Sequence, residues 1–260
     1  MAVHRTPMPL STRARWVLVA SAAVTLGLYL VPHGHYLAYP LILISTLVHE
    51  LGHGVAAMLV GSEFIEFKMW QDGSGVAVHT VPGSAAAKAF ISAGGLCGPA
   101  VAAAGMMAAA QDGRWARYAL GAFGAVLALA LVLVVRNGFG AAFTGVLAAG
   151  ALVIAIRGGA HLAQAALLFL AVQLALSVYS RGDYLFMQWA ETTQGRMPSD
   201  TQQMAEAMGG AYWFWGAMCG AFSIAMLAVG ALVFWRGTRV ATPARPAAPA
   251  PVRRAGAGPR

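Results

Sequence analysis

LILISTLVHELGHGVAAMLV, residues 41 to 60, is an apolar run of the length that crosses a bilayer as a helix, and at its centre stand His49, Glu50 and His53. An ionisable side chain at membrane depth costs about 2.5–3.5 kcal/mol even on insertion scales, so a cluster of three asks for a function. The H-E-x-x-H spacing sets both imidazoles on one helical face, about one turn apart, where they can reach a single metal ion. Glu50 is rotated by about 100° from His49, a poor position for a third ligand and a good one for taking a proton from a water on the metal. Zinc suits imidazole ligands and lowers the pKa of its water to about 7. Glu50 would then act first as general base and afterwards as the acid that protonates the leaving amine. The plainer alternative makes the histidines interhelical hydrogen-bonding residues with Glu50 paired or protonated. A full motif at a depth where each member is individually unfavourable favours the metal.

Working outward, the whole chain has the composition of a membrane protein, with 59% hydrophobic residues, 10% charged residues and a mean hydropathy of +0.66. Apolar runs recur at 16–31, 37–60, 90–110, 118–135, 139–156, 161–179 and 212–235. Their length and their Ala, Leu and Val content predict an all-α bundle of about seven transmembrane helices, since a helix satisfies its own backbone in lipid. The first run is long and lacks a small-residue cleavage pattern, so it reads as an anchor rather than a signal peptide. Three segments follow: a basic stretch over 1–15, a polytopic membrane domain over 16–235, and an Arg/Pro/Ala-rich tail over 236–260 that reads as disordered. The net charge of +8 comes from short loops and termini, as in membrane proteins, and gives no support for nucleic-acid binding. Cys97 and Cys219 fall inside apolar runs without ligand spacing and read as packing residues. With seven alternating spans, eight Lys and Arg lie on the side of the N-terminus and nine opposite, six of those in the tail. Tail residues count for less, which favours a cytoplasmic N-terminus.

Between Glu63 and Val81 the apolar period shortens to two, with Ile65, Phe67 and Met69 alternating against Glu66 and Lys68 before the turn residues 71–75. This predicts a β-hairpin directly after the metal helix. It could offer an open edge to an extended substrate or lie as an amphipathic ribbon on the bilayer surface. Gly52 and Gly54 flank His53, and Gly94 and Gly98 have G-x-x-x-G spacing, so close helix contacts are expected at both places. His33 and His35 read as an interfacial loop.

VHELGHGVAAMLVGSEFIEFKMWQDGSGVAVH, with ISAGGLCGPA, SVYSRGDYLF and PSDTQQMAEAMGG further on, resembles the site-2 protease family of intramembrane zinc metallopeptidases, in a compact bacterial branch. The resemblance runs in pieces from the second apolar run to the seventh. It implies one zinc ion per chain, held by two histidines and an aspartate, and hydrolysis of a peptide bond in a membrane-protein substrate. His49 and His53 are the first two ligands, and Asp183 is the expected third. Topology agrees, because the second and sixth runs exit on the same side, and a sixth helix continued to about Trp189 would let Asp183 face the histidines. Better-known members carry an Asp-Gly pair after a proline, where this chain has Gly182-Asp183-Tyr184. Asp200 is the rival carboxylate, although Ser199 and Gln202 have capping-box spacing and an acid in a first helical turn is favoured on its own account. His79 and His161 are weaker candidates.

The leading expectation is therefore an intramembrane zinc metalloendopeptidase with Glu50 as its base, in a lipid bilayer whose Ala, Gly and Arg usage fits a bacterial inner membrane. A metal-binding membrane protein without proteolytic activity would need a closed site with four protein ligands. A small transporter would need a continuous polar path, which the other runs do not supply.

Overall fold

The computed structural model describes residues 10–180, 184–193 and 195–238. Each of the seven apolar runs matches a helix to within two residues at its end: α1 (Leu10–Leu30), α2 (Gly34–Leu59), α3 (Ala85–Ala109), α4 (Gly113–Leu133), α5 (Gly138–Arg157), α6 (Ala160–Ser180) and α8 (Tyr212–Gly237). The short α7 (Asp200–Met208) precedes α8. Side-chain caps mark three of the starts. Ser84 accepts from the Ala87 amide ahead of α3, Asp112 from the Arg114 and Trp115 amides ahead of α4, and Ser199 from the Gln202 amide ahead of α7.

Among the described residues six helices, α2 to α6 and α8, are long and apolar enough to cross a membrane. The first helix departs from the expected alternation of seven. Arg15 donates from Nε to Thr238 Oγ1 over 3.0 Å, and its guanidinium sits 4.6 Å above the Trp235 ring. The start of α1 and the end of α8 therefore lie at the same end of the bundle, whereas seven alternating spans would separate them. An even number of crossings between the start of α1 and the end of α8 gives this result.

The hairpin after α2 forms as predicted, with β1 (Phe64–Met69) antiparallel to β2 (Gly75–His79). It runs back along α2: the Tyr39 hydroxyl donates to the Gln71 carbonyl, and Thr46 Oγ1 donates to the Gly73 carbonyl over 2.7 Å. Phe67 and Met69 are fully buried and belong to one cluster with Leu43, Leu47, Leu127 and Val134. Its outer strand β1 is stitched to the α4–α5 connection, since the Phe67 amide donates to Val134 and the Arg136 amide donates to Phe67. The ribbon is thus part of the bundle wall rather than a surface layer.

Two features after α6 were not expected. The described part of α6 reaches Ser180, and the chain is no longer α-helical from Tyr184, where a 3-10 turn (Tyr184–Phe186) leads into a second hairpin, β3 (Trp189–Thr192) with β4 (Gly195–Pro198). This hairpin delivers the chain to α7, which packs against α3. On the other side of α3, Gly52 and Gly94 face each other so closely that a Cβ on Gly52 would collide with the Gly94 carbonyl. That contact sets the spacing of α2 and α3 and with it the place of His53.

Candidate metal centre

His49, Glu50 and Asp200 are 7%, 6% and 4% exposed, buried charges or potential charges that need partners. His49 Nε2 lies 3.1 Å from His53 Nε2, His49 Nε2 lies 3.2 Å from Asp200 Oδ2, and His53 Nε2 lies 3.4 Å from Asp200 Oδ1. Three donors bound to one zinc at about 2.0–2.1 Å with tetrahedral angles would stand about 3.3–3.4 Å apart. The triangle has that size, and its composition of two imidazoles and one carboxylate is one that zinc accepts. Among the described residues these three alone form a group able to hold a metal ion, which leaves a fourth position for another ligand.

Each donor is aimed by its surroundings. His53 Nδ1 stands 2.9 Å from the Ile91 carbonyl on α3, so the proton belongs on Nδ1 and the lone pair on Nε2 points to the other donors. A Cβ on Gly95 would occupy the space of the His53 ring, so the glycine-rich stretch of α3 is the seat of that imidazole. Asp200 opens α7 directly after the Ser199 cap. Ser199 is itself fixed by the bond its hydroxyl donates to the Met187 carbonyl over 2.6 Å. The Asp200 carboxyl, outside the spans, is disfavoured as an anion by burial. When protonated, His53 and His49 outweigh that by charge and hydrogen bonds and hold it below the usual range. It is therefore a carboxylate, the form that binds a cation. The Tyr184 hydroxyl donates to Asp200 Oδ2 over 3.4 Å, and its ring meets His49 edge-on at 5.9 Å.

Glu50 is beside the triangle without belonging to it, as the helical offset predicts. It lines two cavities that share His49, Gly75, Tyr184 and Thr192, one of about 580 Å³ and one of about 180 Å³. Gly75 of β2 packs on the glutamate: a Cβ there would come within 2.8 Å of Glu50 Cγ. The cavities are bounded on one flank by β2 and on the other by β3. The hairpin turns meet at one end, where Asp72 accepts from the Thr193 hydroxyl over 2.6 Å and from the Ser74 hydroxyl over 2.6 Å.

The structure thus brings His49, Glu50 and His53 together with Asp200. Asp183, the expected third ligand, lies outside the described residues, so the carboxylate standing against the histidines among those described is Asp200. His79 lines the smaller cavity with its Nδ1 against the Thr80 carbonyl, and His161 is at the far end of the bundle on the first turn of α6. Residue order alone assigns Tyr184 no role, and its place next to Asp183 is the one signal it carries.

The family described as Peptidase M50B-like matches residues 19–230, a stretch that contains every element from the middle of α1 into α8. No curated protein and no solved structure matches the chain.

Proposed function

The chain belongs to the Peptidase M50B-like family, the site-2 protease family, and from that membership together with the buried triangle we propose a zinc endopeptidase that cleaves membrane-protein substrates within the bilayer. The observation that carries this reading is the spacing of His49 Nε2, His53 Nε2 and the Asp200 carboxylate, at the edge lengths of a tetrahedral zinc site and beside Glu50, which stands outside the group of donors. His49, His53 and Asp200 would hold the metal, one ion per chain. When bound, zinc supplies a Lewis acid for the scissile carbonyl and makes a water acidic enough to be deprotonated near neutral pH.

The remaining work falls to the protein. Glu50 accepts the proton of the attacking water and returns it to the departing amine, and its carboxylate is held in place by the backbone of Gly75 pressed against it. The open edge of β2 supports an extended substrate by main-chain hydrogen bonds, because a helix must unwind before its peptide bond can be attacked. Family membership and six apolar helices describe a multi-pass integral membrane protein, and the Ala, Gly and Arg usage favours a bacterial inner membrane.

The test is elemental zinc analysis of the detergent-solubilised full chain. Wild type should carry about one zinc, the count set by one three-ligand site. His49→Ala and Asp200→Ala should lose it, and Glu50→Gln should keep it while losing proteolysis. Retention of zinc in Asp200→Ala with loss in Asp183→Ala would transfer the third ligand to Asp183. A zinc-free, folded wild type would end the peptidase reading.

A further inference from the structure

The larger cavity continues along α2 from His49 toward the helix start and along α6, where apolar lining would be expected at membrane depth. Polar side chains stand there instead, Ser45, Gln173 and Ser177. Ser45, one turn before His49, and Gln173 on α6 are each 4% exposed, and both line this cavity. The orientation of Gln173 follows from its neighbours. Thr25 on α1 spends its hydroxyl proton on the Ser21 carbonyl over 2.8 Å, so its oxygen can only accept from Gln173, whose Nε2 is 2.6 Å away. This leaves Gln173 Oε1, which accepts no hydrogen bond among the described residues. The Ser45 hydroxyl likewise has no partner among them.

Both atoms open onto the cavity while the side chains that carry them are otherwise buried, so each is held ready for a polar partner that enters it. An unwound segment of polypeptide supplies what is missing, since its main chain presents one donor and one acceptor per residue that have just lost their helical bonds. Gln173 Oε1 is an acceptor for a main-chain N–H, and the Ser45 hydroxyl is a donor for a main-chain carbonyl.

Building on the peptidase reading, we propose that Ser45 and Gln173 form a subsite for the backbone of the substrate segment on the side of the scissile bond toward the start of α2, with Thr25 as the residue that positions Gln173. The ligand class is an extended peptide, recognised through its main chain. The subsite belongs to α2 and α6, whereas β2 and β3 flank the cavity on its other sides.

The experiment compares acetohydroxamate with two tripeptide hydroxamates, one carrying the zinc-binding group at its C-terminal end and one at its N-terminal end. Dissociation constants are measured by calorimetry on the zinc-loaded full chain. In wild type one of the two tripeptides should bind more tightly than acetohydroxamate. Gln173→Met and Ser45→Ala should each weaken that tripeptide by about tenfold, the size of one lost hydrogen bond, and leave acetohydroxamate unchanged, which also reports an intact fold. Thr25→Val should weaken the same tripeptide by less. The subsite is overturned if neither tripeptide surpasses acetohydroxamate, if the tripeptide advantage survives both substitutions, or if acetohydroxamate weakens in parallel. Failure of acetohydroxamate to bind wild type removes the zinc site and the subsite together, a signature distinct from the other three.

Discussion

The two hairpins face each other across one cavity, yet they are held by different means. β1–β2 is sewn into the bundle on its outer edge: its Phe67 and Met69 are fully buried, and Asn137 clamps Met69 by donating to its carbonyl over 2.6 Å and accepting from its amide over 3.2 Å. β3–β4 exposes most of its residues and is fixed at its base by Ser199 and at its turn by the contact of Thr193 with Asp72. The first is a wall and the second a leaf resting on it. Apolar burial and paired backbone make an element rigid, and an element with few buried contacts opens at low cost.

Breaking the wall should have the largest effect. Gly75→Val places a branched side chain against Glu50 and Thr46, and proteolysis should fall by about 100-fold or more, as expected for a displaced catalytic group, while zinc content stays at the wild-type level. Asn137→Ala leaves the Met69 amide and carbonyl without their partner, so the chain should lose about 1–3 kcal/mol, read as a lower midpoint of thermal unfolding in detergent. The leaf should respond more mildly. Thr193→Val removes the bond to Asp72 at an exposed site, and global stability should move by no more than about 0.5 kcal/mol while amide exchange over 189–198 accelerates. Equal acceleration in both hairpins would erase the distinction between them.

The smallest effect is that of pH on this contact. Burial acts to raise the Asp72 pKa, but hydrogen bonds from Ser74 and Thr193 outweigh it and hold the carboxyl below its ordinary 3.8. A depressed pKa in the folded chain means that the contribution is fully present above the unfolded value and is lost as pH falls through the folded one. Once corrected for the intrinsic pH dependence of exchange, protection over 189–198 should therefore be constant between about pH 5 and 8. A loss of protection near pH 6 would show that another group governs the leaf.

The contrast also explains what could be read from residue order alone. His49, Glu50 and His53 were legible because their spacing is local and the helix converts it directly into geometry. The first hairpin announced itself through the alternation of Ile65, Phe67 and Met69, a pattern that exists because one face is buried. The second has strands of four residues and little buried surface to impose a pattern, with Gly195 at φ 109° as its clearest mark. Asp200 was recognised as a first-turn acid behind a serine cap, and that explanation holds. The same position also turns its carboxylate toward the histidines, so a place in the first turn of α7 and a place against the imidazoles are compatible. The placement of α1 depended on contacts such as Arg15 with Thr238, which no local pattern encodes.

Gly95 and Gly75 contribute to the centre by what they lack. The His53 ring occupies the volume that a methyl on Gly95 would fill, and Glu50 occupies the corresponding volume at Gly75. In a saturation scan scored by activity, both positions should therefore be as intolerant as the histidines themselves, and alanine should be nearly as damaging there as a large side chain. A search for essential residues guided by chemical reactivity would pass over them. The footprint of the centre on the genetic map is thus wider than its set of donors, extending into α3 and the first hairpin through two absent carbon atoms.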